Sequence, residues 1–366
     1  MQELKNRYLS LDVFRGMDVA LMIVVNSPGS WTTSYSPLLH ANWHGFTLTD
    51  LVFPTFLFVV GNSMSFALPK YESMGDGAFL KKILKRTLII FLLGFLSYWF
   101  PFFEEGHLKP FSDTRVFGVL QRIALCYFFA SLILHYWKVK GALIFSLVAL
   151  VLYRVLLGAF GDLTLEGNAV LKLDAWLIGE SHMYHGEGIA FDPEGLLSTL
   201  PSIVNVIFGY MAGLFLQRSG QNYETLAKMM MVGCALVFMG LWWDLFFPIN
   251  KKLWTSSFVL YTVGIDLLVL PILVFIIDIA KKSKWTYFFE VFGKNTLFIY
   301  LFSEIFVITL FNISIGGQSA YGWIAEHIFA STLGAYLGSL GFALFVMLSC
   351  WAVGYVMDKK KIYVKV

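Results

Sequence analysis

Charge is scarce in this chain. Only 14% of its 366 residues are Asp, Glu, Lys or Arg, where a water-soluble domain carries about 25%. Together with a 58% hydrophobic share, that shortfall excludes an ordinary soluble fold. Cysteine is scarcer still. Cys126, Cys234 and Cys350 all fall inside apolar stretches, so neither a disulfide framework nor a zinc site is expected. Linkers, low-complexity tracts and internal repeats are missing, and residues 1–366 read as one domain. Nor is a cleavable leader expected. Arg15 and Asp18 interrupt the first apolar run, and Asn26-Ser-Pro-Gly29 closes it without a small-x-small site. The net charge of +3 gives no reason to expect nucleic acid, whose binders gather basic residues on one groove or face.

What is present is apolar length. Ten runs stand out, at 13–29, 51–68, 87–103, 116–137, 141–160, 196–216, 226–247, 257–279, 295–312 and 333–357. Each is close to the 17–25 residues that a membrane helix needs. The runs are continuous rather than alternating, which favours helices over barrel strands. The expected fold class is therefore all-α, a polytopic membrane bundle of about ten transmembrane helices.

Basic residues set its orientation. With the N-terminus in the cytoplasm, 18 of the 27 fall inside: Lys5, Arg7, the Lys70–Arg86 cluster, Lys138, Lys140, Arg218, Lys228, Lys281, Lys282, Lys284 and the lysines from Lys359 to Lys365. Five fall outside, namely Lys109, Arg115, Lys172, Lys251 and Lys252. The positive-inside rule then puts both termini in the cytoplasm. Gly209 with Gly213, and Gly334, Gly338 and Gly341, are expected to let helices approach closely.

Two outer loops are long, and long loops in compact proteins are usually functional or disordered. Residues 30–50 carry His40, His44 and Asp50. Residues 158–195 carry nine acidic or imidazole side chains, Asp174, Asp192 and Glu194 among them, against Lys172 alone. That balance would attract a cationic solute, and it equally describes a solvated loop. His40 and His44 stand four apart, a metal-ligand spacing when helical, but no third ligand lies at a diagnostic offset and no metal is expected. A carboxylate ten residues after His40 could orient and charge-stabilise an imidazole acting as base or nucleophile, although a histidine in such a loop is more often structural. Asp12 and Arg15 are spaced as a helical ion pair, or Arg15 is a phosphate ligand. Asn26 suits an interhelical hydrogen bond or a site. Arg122, Arg154, Asp244, Asp266 and Glu304 lie within apolar runs, where ionisable groups are expensive and must face one another, water or a ligand. Such charges suit a catalytic cavity and also a proton-coupled carrier of amino sugars or sugar acids.

Five motifs resolve this choice. They are Leu9-Ser-Leu-Asp-Val-Phe-Arg-Gly16 followed by Asn26, the stretch from His40-Ala-Asn-Trp-His-Gly to Asp50-Leu-Val-Phe-Pro54, the pair Arg115-Val-Phe-Gly-Val-Leu-Gln-Arg122 and Asp192-Pro-Glu-Gly-Leu-Leu-Ser-Thr199 (taken as one), Pro248-Ile-Asn-Lys-Lys-Leu-Trp-Thr255, and Lys294-Asn-Thr-Leu-Phe-Ile-Tyr-Leu-Phe-Ser-Glu304. In these the chain resembles the heparan-α-glucosaminide N-acetyltransferase family of transmembrane acyltransferases, in its shorter bacterial form. The resemblance implies an enzyme that transfers acetyl from cytoplasmic acetyl-CoA to the amine of an amino sugar across the membrane. It implies His40 as the catalytic histidine, with Asp50 and Asn26 in the same site. Arg15, Arg115, Arg122 and Lys294 are the candidate contacts to CoA, and Asp192, Glu194, Asp244 and Glu304 the candidate contacts to the acceptor. Both an acetyl-histidine route and direct attack by the amine fit the resemblance. Direct attack is preferred, because a thioester is already activated. The large luminal domain of the animal enzyme is missing, which makes free glucosamine, a glucosaminide or a cell-wall fragment the more plausible acceptor. The bacterial inner membrane is the expected location, and a homodimer is one option for assembly.

Overall fold

The computed structural model describes residues 8–104 and 106–364. Lys5, Arg7 and Lys365, counted on the inner side above, lie outside the described residues. The chain is a helical membrane bundle. Its helices are α1 (Leu9–Asn26), α2 (Leu48–Glu72), α3 (Asp76–Trp99), α4 (Val119–Phe160), α5 (Ala169–Ile178), α6 (Leu196–Ser219), α7 (Tyr223–Asp244), α8 (Ser256–Leu273, continued as a π-helix to Ile279), α9 (Tyr287–Lys294), α10 (Thr296–Asn312), α11 (Ala320–Ile324), α12 (Ser331–Leu333) and α13 (Ala335–Lys359). Two antiparallel hairpins, Phe103–Glu104 with His107–Leu108 and Ser314–Ile315 with Gln318–Ser319, are the only paired strands among the described residues.

Among the described residues, six helices are long and apolar enough to cross a membrane. The pair α9 and α10, bent by 86° at Asn295, makes up to seven. Helix α4 has 42 residues, which at about 1.5 Å rise each would be twice a bilayer's thickness if straight. It is not straight. Lys138 adopts φ 55°, ψ −171° and breaks it. Arg122 near its start and Tyr153 near its end then reach neighbouring loops, at Gly195 and Leu253. The helix therefore folds back on itself, matching the division between runs 116–137 and 141–160.

Small residues set the closest approaches. A Cβ on Gly61 of α2 would lie 1.8 Å from the Val206 carbonyl oxygen, and one on Gly209 of α6 would lie 1.9 Å from that of Phe58. The α2–α6 crossing thus rests on two missing side chains. Gly16 of α1 and Gly293 of α9 form the same kind of pair, 1.8 Å and 2.3 Å from Phe289 and Asp12 carbonyl oxygens. Gly338 and Gly341 also meet neighbours closely. Gly334, expected among the packing glycines, instead has φ 80° with open space around it and starts α13. The positive φ is what needs glycine there.

The helix ends define two faces. On one face the Asp278 carboxylate accepts from Ser10 and Gln221, Arg15 donates to Ser63 Oγ and the Gly293 carbonyl, and Lys294 pairs with Asp358. On the other, loops 27–47, 100–118, 161–195 and 245–255 are tied together. Trp43 Nε1 donates to the Leu163 carbonyl at 2.7 Å, Lys252 to the Asn42 carbonyl at 2.8 Å, and Gly45 N to the Ile249 carbonyl at 2.8 Å. This second face carries His40 and His44.

Candidate active site

The site starts at the first turn of α2. Asp50 is the third residue of that helix, and its Oδ2 accepts from the backbone N–H of Thr47 at 2.9 Å. With Thr47 this is a capping box, in which the carboxylate satisfies donors the helix start leaves free. Oδ2 also accepts from Ala41 N at 3.1 Å. Oδ1 is left for His40, whose Nδ1 lies 2.7 Å away. A carboxylate 1% exposed and fixed this way accepts the Nδ1 proton of imidazole and leaves Nε2 as the ring's acceptor. The imidazole itself is 36% exposed.

Lys251 Nζ stands 3.2 Å from that Nε2. It comes from the turn between α7 and α8, which is built from its own side chains. Asp244 Oδ1 accepts from Ile249 N at 2.5 Å, Asn250 Oδ1 from Leu253 N at 2.8 Å, and Thr255 Oγ1 from Asn250 N at 3.0 Å. Trp254 follows with φ 53°, fully buried. Such backbone strain at a non-glycine residue persists where its surroundings over-determine it. Here the ring is held by the Nε1 bond to Asn205 Oδ1 at 3.1 Å and lies 4.9 Å under the Arg122 guanidinium.

The second cluster joins the 100–118 and 161–195 loops. Arg115 Nε and Nη2 grip Asp192 at 2.8 and 2.7 Å, and Nη2 meets Glu194 at 2.7 Å. Tyr98 and Tyr184 flank the guanidinium at 5.0 and 4.8 Å. Glu194 links the clusters, because its charge acts on His40, Lys251, Arg115 and Arg122 alike. Glu304 of α10, half-buried, lies within the field of Arg115. Arg122 is fully buried. Its Nη2 donates to the Gly195 carbonyl at 3.0 Å and to Ser198, while Nε and Nη1 have no partner among the described residues.

These neighbours tune the titration. Burial and then the Lys251 ammonium push His40 below the ordinary imidazole range, against the opposite pull of Asp50 and Glu194. Burial likewise lowers Lys251, with Glu194 and Asp50 opposing. Burial alone would raise Glu194, but Arg115, Lys251 and Arg122 bring it below the usual carboxylate range. Asp174 of α5 is pushed up to about 7 by burial, although it accepts from Leu196 N at 3.0 Å at the start of α6.

The structure thus gathers His40, Asp50, Asp192, Glu194, Arg115 and Arg122 around one face. Asp244 holds the Lys251 turn. Asn26 is exposed at the end of α1. Arg15 and Lys294 stand at the opposite face: Lys294 lies 3.0 and 3.2 Å from Asp358, and Arg15 lies 3.6 Å from Asp12. His44 looks elsewhere than His40, with its Nδ1 3.3 Å from Asn250 Nδ2. The sequence did not single out Lys251, Asn250, Asn205 or Tyr98. The capping pattern Thr47-x-x-Asp50 was a readable signal for the anchoring of Asp50.

A membrane bundle that holds a carboxylate-oriented imidazole at one surface carries there the groups that acid–base chemistry uses. Comparison with known sequences narrows the class. The family described as heparan-alpha-glucosaminide N-acetyltransferase, catalytic, matches residues 7–249, and the chain belongs to that family. It is similar to the heparan-alpha-glucosaminide N-acetyltransferase of Homo sapiens, 28% identical over 84% of this chain and 54% of that protein. It is similar also to that of Mus musculus, 27% identical over 99% of this chain and 61% of that protein. The chain thus spans a little over half the length of these relatives.

Proposed function

We propose that the chain is a transmembrane N-acetyltransferase, moving acetyl from acetyl-CoA supplied at the inner face to the amine of an amino sugar at the outer face. The observation that carries this reading is the His40–Asp50 pair, with Nδ1 committed to the carboxylate on a side chain that is 36% exposed. The acceptor, once deprotonated to its neutral amine, attacks the thioester carbonyl, and its C–N bond forms as the C–S bond breaks. His40 Nε2 takes the proton the amine loses, and that proton ends on the departing thiolate, which leaves as the CoA thiol. A positioned base of this kind contributes about 10²–10⁴-fold. Asp192, Glu194 and Glu304 supply the negative field that favours a cationic acceptor. Arg15 and Lys294 share the face where CoA phosphates would arrive, and the two unpartnered nitrogens of Arg122 are donors for the carbonyl groups of its arm. In this reading α1, α3 and the two arms of α4 complete ten spans, both termini are cytoplasmic, and the membrane is a bacterial inner membrane. The test is to mix the purified protein with acetyl-CoA and glucosamine and follow thiol release. Stoichiometric release with N-acetylglucosamine formed is the expected result. No thiol with any amine, together with uptake of the sugar into sealed vesicles, would mark a carrier instead.

The Lys251 ammonium gives a pH signature. The base works only while Nε2 is unprotonated, so activity falls as pH drops through the His40 pKa. Lys251 helps keep that pKa low. Replacing it by Met removes a repelling charge, and the acid limb of kcat/KM is expected to move to higher pH. A limb that stays put or moves down would separate Lys251 from the base.

A further inference from the structure

Lys251 offers a primary amine to His40 Nε2 at 3.2 Å, and a primary amine beside that nitrogen is what an acceptor must bring. The backbone under it is fixed. Besides the side-chain braces from Asp244, Asn250 and Thr255, the Lys251 carbonyl accepts from Trp254 N at 3.0 Å. The side chain is freer. Among the described residues no carboxylate is in ion-pair contact with Lys251, and Glu194 and Asp50 act on it through their fields. Its sequence neighbour differs on each point. Lys252 donates to the Asn42 carbonyl at 2.8 Å and pairs with Glu187, away from the imidazole. Burial also lowers Lys251 against the pull of Glu194 and Asp50, so more of it is the neutral, nucleophilic amine than in an ordinary surface lysine.

We propose that Lys251 is a self-acetylation site, taking the acetyl group of a bound acetyl thioester when no acceptor amine is present. This rests on the reading of His40 as the base of acetyl transfer. The neutral Nζ attacks the thioester carbonyl, and the C–N bond forms as the C–S bond breaks. His40 Nε2 takes the proton that Nζ sheds, and the proton ends on the thiolate, which departs as free thiol. The product is a neutral amide whose acetyl group sits beside Nε2, in the room an acceptor amine needs. A chain modified in this way is switched off, so thioester that accumulates without acceptor shuts its own consumer down.

Peptide mass spectrometry of the full chain in lipid nanodiscs, after incubation with acetyl-labelled acetyl-CoA alone, reads the modification directly. The expected result is one acetyl group on Lys251, stable to hydroxylamine, with Lys252 left at the background of uncatalysed acetylation. In His40→Ala, labelling of Lys251 is expected to slow by about 10²–10⁴-fold, the worth of a positioned base, while the Lys252 background stays the same. Equal labelling of the two lysines, or labelling of Lys251 that survives in His40→Ala, would overturn the proposal, because thioester in solution then suffices. Label that hydroxylamine removes would overturn it too, since the acetyl group then sits on an imidazole or a thiol. A preparation that acetylates glucosamine yet carries no label on Lys251 sinks self-acetylation alone and leaves the acetyltransferase reading standing. One that labels nothing and releases no thiol with any amine sinks both.

Discussion

His40→Ala is expected to lower turnover by about 10²–10⁴-fold while the affinity for acetyl-CoA stays within a few-fold of the parent. The separation follows from the placement of the groups. His40 is fixed by Asp50 at the outer start of α2, whereas Arg15 and Lys294 lie at the opposite face on α1 and α9. Removing an imidazole that is 36% exposed leaves little unpaired behind, because Asp50 keeps its Thr47 and Ala41 donors. The fold should therefore survive. Asp50→Asn is the sharper companion. It keeps the helix cap's shape but removes the charge that stabilises imidazolium and the acceptor that fixes its tautomer. Activity should fall in that variant too. Calorimetric binding of acetyl-CoA beside thiol release separates the two quantities. Full turnover in His40→Ala removes the imidazole from the reaction, and lost binding with lost turnover makes it a ligand contact instead.

How much of this was readable from the residues differs between elements. The helical membrane bundle was legible because a membrane demands continuous apolar length and little else produces it. Among the described residues, though, six helices, or seven with the bent pair, pass that test against the ten runs expected. Even the fold-back of α4 was visible, since Lys138 and Lys140 divide two runs that no single span could hold. Helix α5 was not, because ten residues inside an acidic loop carry too weak a periodicity to stand out. The pairing of His40 with Asp50 was legible, as the two lie ten residues apart around a capping box. Lys251 was not. A loop lysine has the same spacing whether it is solvated or aimed at an imidazole. What aims it is a turn held by Asp244, Asn250 and Thr255, and that turn meets residue 40 only through the tertiary fold. Arg115 also differed from its expected surroundings. It lies in the grip of two carboxylates named separately as acceptor contacts, a meeting of residues 77 and 79 positions apart that no local pattern encodes.

That grip sets the second large effect. Asp192 is fully buried and Arg115 is 16% exposed, so removing one partner strands a charge that water cannot reach. Asp192→Ala is expected to destabilise the fold by about 3–5 kcal/mol, the range for breaking a buried pair from one side. The loss exceeds that of the contact itself, because Asp192 Oδ1 also accepts from Glu194 N at 2.9 Å and shapes the turn leading into α6. Arg115→Met should be comparably costly, since it leaves Asp192 and Glu194 facing each other without a counter-charge. The double variant is then expected to be less damaging than the two singles added together, by at least 1 kcal/mol or so, because the second removal relieves a group the first left unpaired. Thermal unfolding of all four proteins in one detergent measures the cycle. Single variants that melt like the parent, or an additive cycle, would show that the cluster is wetter than its burial indicates. In that case Arg115 would be a free cation at the outer surface and no longer a strut between the 100–118 and 161–195 loops.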